Sequence, residues 1–167
     1  MKKLKISILL CLLFAMISLT ACGIFPENFF SNDKTVADET IAEIEKHIND
    51  TDVDSLTQMF SKKALRTVDN LDDKLKEFVA KLSSGINSYE LYAGPAGYGF
   101  SDHGDFIKSI DVSYKIKTND NNLYYIGFKN VYVNTIDEDM VGLSSLRLSK
   151  NDDAVWDKDN GDCYIMS

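Results

Sequence analysis

Apolar positions along the chain recur with two different periods, and the change between them falls near residue 86. Before it, the spacing is helical. Ile41, Ile44 and Ile48 stand at i, i+3 and i+7 and mark one apolar stripe. Thr35 with Asp38 three residues later is close to a capping box, so the pattern predicts a helix entered at Thr35. Glu39, Glu43 and Glu45 fill its other faces, and His47 falls in the last turn, where the helix dipole favours a solvated cation. Asn49-Asp50-Thr51-Asp52 ends it. Asp52 is the N-cap expected for a second, shorter helix whose buried face is Leu56, Met59 and Phe60, extended a turn by Ala64 and Leu65. A third helix is read from Asn70 as cap, Leu71, Leu75, Phe78, Val79 and Leu82 as one face, and Gly85 at the C′ position.

From Ile86 onward the period is two. Tyr89, Leu91 and Ala93 predict a first strand halted by Gly94-Pro95-Ala96-Gly97, with Tyr98-Gly99-Phe100 as a brief continuation. Ile110, Val112, Tyr114 and Ile116 alternate with Asp111, Ser113, Lys115 and Lys117, one buried face and one wet face. Asn119-Asp120-Asn121-Asn122 is a turn of residues that tolerate left-handed backbone. Residues 123–133 form a long strand buried on both faces, the acids near 137–139 turn the chain, and Val141, Leu143, Leu146 and Leu148 build the last long strand. Trp156 and the apolar run at the end make an edge or a cap. The order is helices followed by a meander. That is an α+β plan, with N-terminal helices packed on a curved antiparallel sheet.

The first 34 residues obey neither period. Lys2, Lys3 and Lys5 precede an apolar run over 6–19, which as a helix reaches ~21 Å, short of the ~30 Å hydrocarbon core. A charged tip, a short apolar run and a small residue before a cut describe an export signal. Leu19-Thr20-Ala21-Cys22 resembles the lipobox of bacterial lipoproteins, in which the cysteine receives a thioether-linked diacylglycerol. The resemblance implies a signal peptide over 1–21 and lipidation at Cys22; Pro26, Asn28, Ser31 and Asn32 break any periodicity and read as a tether over 22–34, and the length that remains suits one domain over 35–167. The lipobox resemblance also implies a protein held by its lipid on the bacterial cell membrane, facing outside the cytoplasm. Two acyl chains suffice because each buried CH₂ contributes ~0.8 kcal/mol. Phe25, Phe29 and Phe30 in the tether either dip into the interface or dock on the domain.

Without residues 1–21 the chain has 146 residues and a formal charge of −11. Such a balance argues against nucleic acid, which needs clustered Lys and Arg, and against a second electrostatic grip on anionic lipid. Of three cysteines only Cys163 remains as a free thiol, so no disulfide framework forms within one chain. His103 between Asp102 and Asp105 is the one His–carboxylate cluster, but Gly99, Ser101 and Gly104 give it a loop composition. Gly94, Gly97, Gly99 and Gly104 lack the Lys-Ser/Thr and helix start of a phosphate cradle. In 157–162 the glycine stands at the fifth position of a calcium-like loop rather than the sixth, so no metal site is read there. No cofactor and no catalytic residue are assigned. What remains is aromatic: Tyr89, Tyr114, Tyr125 and Tyr132 are the residues expected to line a ligand pocket.

One resemblance covers most of the chain. The stretch from Ile41 through Asn49-Asp50-Thr51-Asp52 to Leu56, Met59, Phe60 and Ser61 looks like the opening of a nuclear-transport-factor-two-like domain. The span 39–149 further resembles an uncharacterised family of bacterial lipoproteins. Phe60-Ser61-Lys62-Lys63-Ala64-Leu65, Tyr114-Lys115-Ile116-Lys117-Thr118 and Met140-Val141-Gly142-Leu143-Ser144-Ser145-Leu146 carry it. The resemblance implies a cystatin-like cone, helices lying on the concave side of the sheet. These phrases are packing and turn signatures, so they carry fold further than function. The expected function is a binding module for a small ligand or an envelope protein. The alternative is an enzyme of the same superfamily acting in an aromatic-lined pocket; a third reading is a purely structural partner of another envelope protein, paired through an exposed sheet face, and a homodimer is a further partner to weigh.

Overall fold

In the computed structural model of the protein, residues 32–150 and 163–166 are described. The expectations for the leader, the lipobox, the tether as far as Ser31, Trp156 and the acidic turn at 157–162 lie outside these residues; Asp33 and Lys34, read as the end of the tether, are helical.

Helix α1 runs Asp33–Asn49. Its cap is Asn32, whose Oδ1 accepts the Lys34 N–H at 2.9 Å, so Thr35 lies within the first turn rather than at the helix start as expected. The isoleucine stripe is buried as its spacing predicts, with Ala37 and Thr40 beside it. Asp52 caps α2, Val53–Gln58, by accepting the Ser55 N–H at 3.0 Å. Ala64 and Leu65 do not extend it. They belong to a separate helix α3, Lys62–Thr67, capped by Ser61, whose Oγ accepts the Ala64 N–H. The break is forced by Leu143, which gives its N–H to Met59 O at 2.8 Å and takes the Ser61 N–H at 3.0 Å. A continuous helix would need those same backbone groups. Helix α4, Leu71–Lys81, buries the predicted face. Asn70 is its N-cap residue, as expected, and its carbonyl takes the Lys74 N–H at 3.1 Å, but it enters at φ +55° and its side chain makes no cap bond. Leu82 is the C-cap of α4, so Gly85, at φ +79°, stands three residues past the cap and not at the expected C′ position; it closes the turn that follows by giving its N–H to Leu82 O at 2.8 Å.

The sheet is an antiparallel meander in the order β1-β2-β3-β4-β5: β1 Ile86–Asp102, β2 Asp105–Thr118, β3 Leu123–Asn134, β4 Gly142–Ser149 and β5 Cys163–Met166. β1 is not halted at Gly94. It bulges past Gly94-Pro95, and Ala96 pairs again with Asp111. Gly94 allows this by taking φ +87° where a Cβ would stand 2.7 Å from the Asp111 carbonyl oxygen. Val141, expected in the last strand, is exposed and precedes it.

The helices cover one side of this curved sheet. Asn49 ties the two layers, its Oδ1 accepting the Ile86 N–H at 2.7 Å while its Nδ2 donates to Ile86 O. One cluster of buried residues joins Ile41 and Ile44 of α1, Phe78 of α4 and the helix-facing positions Val112, Tyr114, Ile126, Phe128, Leu146 and Ile165. The fold is therefore α+β, with helices packed on a curved antiparallel sheet.

Candidate functional site

Alternation along β2 and β3 sorts the four tyrosines. Tyr114 pairs with Ile126 on the helix-facing side, and Tyr125 pairs with Lys115 on the outer side. Tyr114 is 2% exposed, lies parallel to Phe128 with centroids 6.1 Å apart, and meets the edge of Tyr89 at 5.7 Å. Its hydroxyl donates to Asp38 Oδ1 of α1 at 2.9 Å. Tyr132 stands where β3 carries one residue more than β2, and its hydroxyl donates to Asp33 Oδ1 at 2.5 Å. Burial, and then the neighbouring carboxylate, pushes both phenols far above their ordinary value. Tyr89, Tyr114 and Tyr132 thus share the helix-facing side. Tyr125 does not join them; its ring lies against Tyr92 on the other face at 4.8 Å.

His103 sits in the two-residue turn between β1 and β2, at φ +47° beside Gly104 at φ +97°. Its side chain is 92% exposed, with Nδ1 2.5 Å from Asp102 Oδ1. Both positive φ values match the tight hairpin turn, so the turn accounts for the residues there.

A convergence of polar groups lies elsewhere, in an open groove of about 450 Å³ between α1, α2 and the junction of β3 with β4. Thr40, Glu43 and His47 of α1 form one wall, Ser55, Gln58 and Met59 of α2 another, and Asn130, Gly142 and Leu143 the floor. Local geometry explains each placement. The three α1 residues stand at i, i+3 and i+7, each one position before an isoleucine of the buried stripe, so they form a second stripe about 100° around the helix. A register shift between Lys129 and Asn130 re-aims Asn130, whose Nδ2 donates to Thr40 Oγ1 at 3.1 Å. Thr40 Oγ1 in turn donates to Val36 O at 2.7 Å.

His47 departs from expectation. Its side chain is 11% exposed, not solvated, because α2 folds back over the end of α1. Its Nδ1 is buried, stands 4.0 Å from Asp52 Oδ2, and makes no hydrogen bond among the described residues. Hydrogen bonds from the Ser55 side chain and backbone hold Asp52 below the usual carboxylate range. Among the described residues Glu43 is the one carboxylate lining the groove, in company with hydroxyl and amide groups from three elements. The arrangement offers donors and acceptors on a lining more polar than apolar, with Met59 and Leu143 as its apolar part. A small polar molecule would meet complementary groups on both walls and the floor.

Among the described residues no cluster of three metal-binding side chains occurs, and no helix is long and apolar enough to cross a membrane. A family model described as a domain of unknown function (DUF5104) matches residues 43–151. That span contains every residue lining the groove except Thr40. No characterised protein matches the chain.

Proposed function

The chain belongs to the DUF5104 family, and from that premise we propose that it is a lipid-anchored extracytoplasmic binding module whose ligand seat is the groove at His47. On this reading the diacylglycerol is carried by Cys22, ten residues before Asn32, and the curved sheet with its helices is a nuclear-transport-factor-two-like cone. The observation that carries the binding role is the convergence of Glu43, His47, Ser55, Gln58 and Asn130 on one groove of about 450 Å³, beside a buried ring nitrogen with no hydrogen bond among the described residues. The ligand that fits is small and polar, an amino sugar, amino acid or polyol whose N–H or O–H groups donate to Glu43 and whose oxygens accept from the amides of Gln58 and Asn130. The aromatic interior is a weaker seat: Tyr114 is 2% exposed, and its hydroxyl is tied to Asp38.

The alternative, an enzyme, would draw on His47 with Asp52. At 4.0 Å the pair has no hydrogen bond to fix the ring's tautomer and orientation, so binding is the reading carried forward.

Two experiments test the proposal. Cys22→Ala should release the protein from the membrane fraction or leave an unprocessed precursor; unchanged fractionation and processing would sink the anchor. For the groove, thermal melts of the full chain in detergent would be run with millimolar amino sugars, polyols, amino acids and short polyamines. At 100 times its dissociation constant a ligand stabilises by ~2.7 kcal/mol. We expect at least one compound class to raise the melting temperature by several degrees, and Glu43→Gln or Asn130→Ala to abolish the rise. A panel without effect, or a rise indifferent to both substitutions, overturns the assignment.

A further inference from the structure

We propose that the groove at Glu43 selects ligands that carry a cationic amine and no carboxylate, an amino sugar or an amino alcohol, with Glu43 as the counter-ion. The inference rests on the groove being the ligand seat and adds the charge that the ligand must bring. Residues 33–58, which form α1, its link to α2 and α2 itself, hold eight carboxylates and two lysines. Both lysines are engaged, Lys34 with Asp38 and Lys46 with Asp50 at 3.2 Å. On the strands of the floor, Lys129 stands opposite Asp111 on the outer face of the sheet, and Arg147 donates to that carboxylate at 2.8 Å. No lysine or arginine lines the groove among the described residues. The negative end of α1 and the positive end of α2 meet beside His47 and offset each other, so the side chains decide the sign.

That sign separates ligands of similar size. A cationic amine meets a carboxylate it can neutralise, whereas a polyol brings hydroxyls alone. An amino acid adds an anion of its own to a lining that offers it no guanidinium or ammonium. A bare metal ion is a poorer match. No cluster of three metal-binding side chains occurs among the described residues, and about 450 Å³ is the scale of a small-molecule site. Glu43 stands within a turn of both Thr40 and His47, which draws the amine to the middle of the α1 wall. Thr40 Oγ1 gives its proton to Val36 O at 2.7 Å and accepts from Asn130 Nδ2 at 3.1 Å, so it does not compete for the Glu43 carboxylate. Ser55 and Gln58 across the groove are left for the ligand's hydroxyls.

Three compounds of one skeleton isolate the charge in calorimetric titrations of the full chain in detergent. They are serinol, glycerol with a hydroxyl in place of the amine, and serine with a carboxylate in place of one hydroxymethyl group. Glucosamine against glucose repeats the comparison on a larger frame. Glu43 is exposed, so the pair has the strength of an accessible ion pair. Each amine should then bind about fivefold more tightly than its hydroxyl counterpart, and serinol more tightly than serine by a similar factor. Glu43→Gln should bring each amine down to its hydroxyl counterpart. Glu77→Gln, at an exposed carboxylate on α4, should leave the ratios unchanged. Equal binding of amine and hydroxyl forms, serine equal to serinol, or an equal loss in Glu77→Gln overturns the selection while the groove stands as a seat. Absence of binding by all five compounds overturns the selection too, and the seat with it only if the wider panel is also silent.

Discussion

Replacing Gly142 with alanine places a methyl group in a seam with no room for it. Gly142 adopts φ +122°, and a Cβ there would stand 2.7 Å from Ser61 N, 2.9 Å from Met59 O and 3.0 Å from the Phe60 carbonyl carbon. All three are backbone atoms, so no side-chain rotation relieves the overlap. They belong to the segment that exchanges two hydrogen bonds with Leu143, at 2.8 and 3.0 Å. Such a backbone conformation costs a non-glycine residue ~1–3 kcal/mol. Opening the seam sacrifices two hydrogen bonds at about 1 kcal/mol each. A loss of at least ~3 kcal/mol follows, a large share of the ~5–15 kcal/mol that holds a domain. In a domain of this size that lowers the melting temperature by roughly 10 °C. Thermal circular dichroism at low protein concentration would measure it. Gly99→Ala is the comparator, since its Cβ position is open and its φ is not positive. It should be neutral or gain up to about 1 kcal/mol. A Gly142→Ala melting temperature within 2 °C of the parent, or an equal loss in Gly99→Ala, would refute the reasoning.

Three further outcomes are expected. Phe78→Ala empties a fully buried position between α4 and the sheet and should cost ~3–5 kcal/mol in denaturant unfolding; a change under 1 kcal/mol would mean the site is not core. His103→Ala removes a side chain 92% exposed and should shift stability by less than about 0.5 kcal/mol, so a larger loss would assign the turn another role. Four carboxylates are held below their ordinary range: Asp38 by Lys34 and then Tyr114, Asp52 by Ser55, Asp120 by Thr118 and Ser84, and Asp139 by Arg66. The fold therefore binds fewer protons than the unfolded chain near pH 4. The stability these groups contribute is present above about pH 4 and is lost as pH falls through their lowered values. Burial raises Glu45 and acts in the opposite sense, one group against four. A melting temperature that stays flat from pH 5 to pH 2.5 would contradict this.

Where a single local rule decides the structure, the sequence was legible. The isoleucine spacing of α1, the alternation of β2 and the apolar face of α4 were each enough to identify their elements. The misreadings share a cause: a distant partner overrode a local signal. Gly94-Pro95 looks like a terminator, yet β2 supplies enough pairing on both sides to carry β1 past it as a bulge. Phe60 and Ser61 would continue α2 but are taken by Leu143, more than eighty residues away. Asn32 displaces Thr35 as cap because it stands earlier and completes the first turn. The groove was hidden for a different reason. Thr40, Glu43 and His47 repeat at the same spacing as the isoleucines beside them, but a polar stripe is the ordinary solvent face of an amphipathic helix. Only the return of α2 and the shifted Asn130 enclose it. The tyrosines could be counted from the chain, whereas their division between two faces depended on bulges at Tyr92 and Tyr132.

The hydroxyls of Tyr132 and Tyr114 grip α1 at Asp33 and Asp38, within its first two turns, and Lys34 adds a contact to Asp38. Any tension arriving through the residues before Asn32 must therefore pass these two rivets before it reaches the isoleucine stripe. Both rivets bridge the helix to the central strands β2 and β3, so a pull is shared across the sheet and does not peel α1 away one turn at a time. Load shared in this way leaves the groove at Glu43 and His47, which lies beyond both rivets along α1, in shape while the chain is stretched.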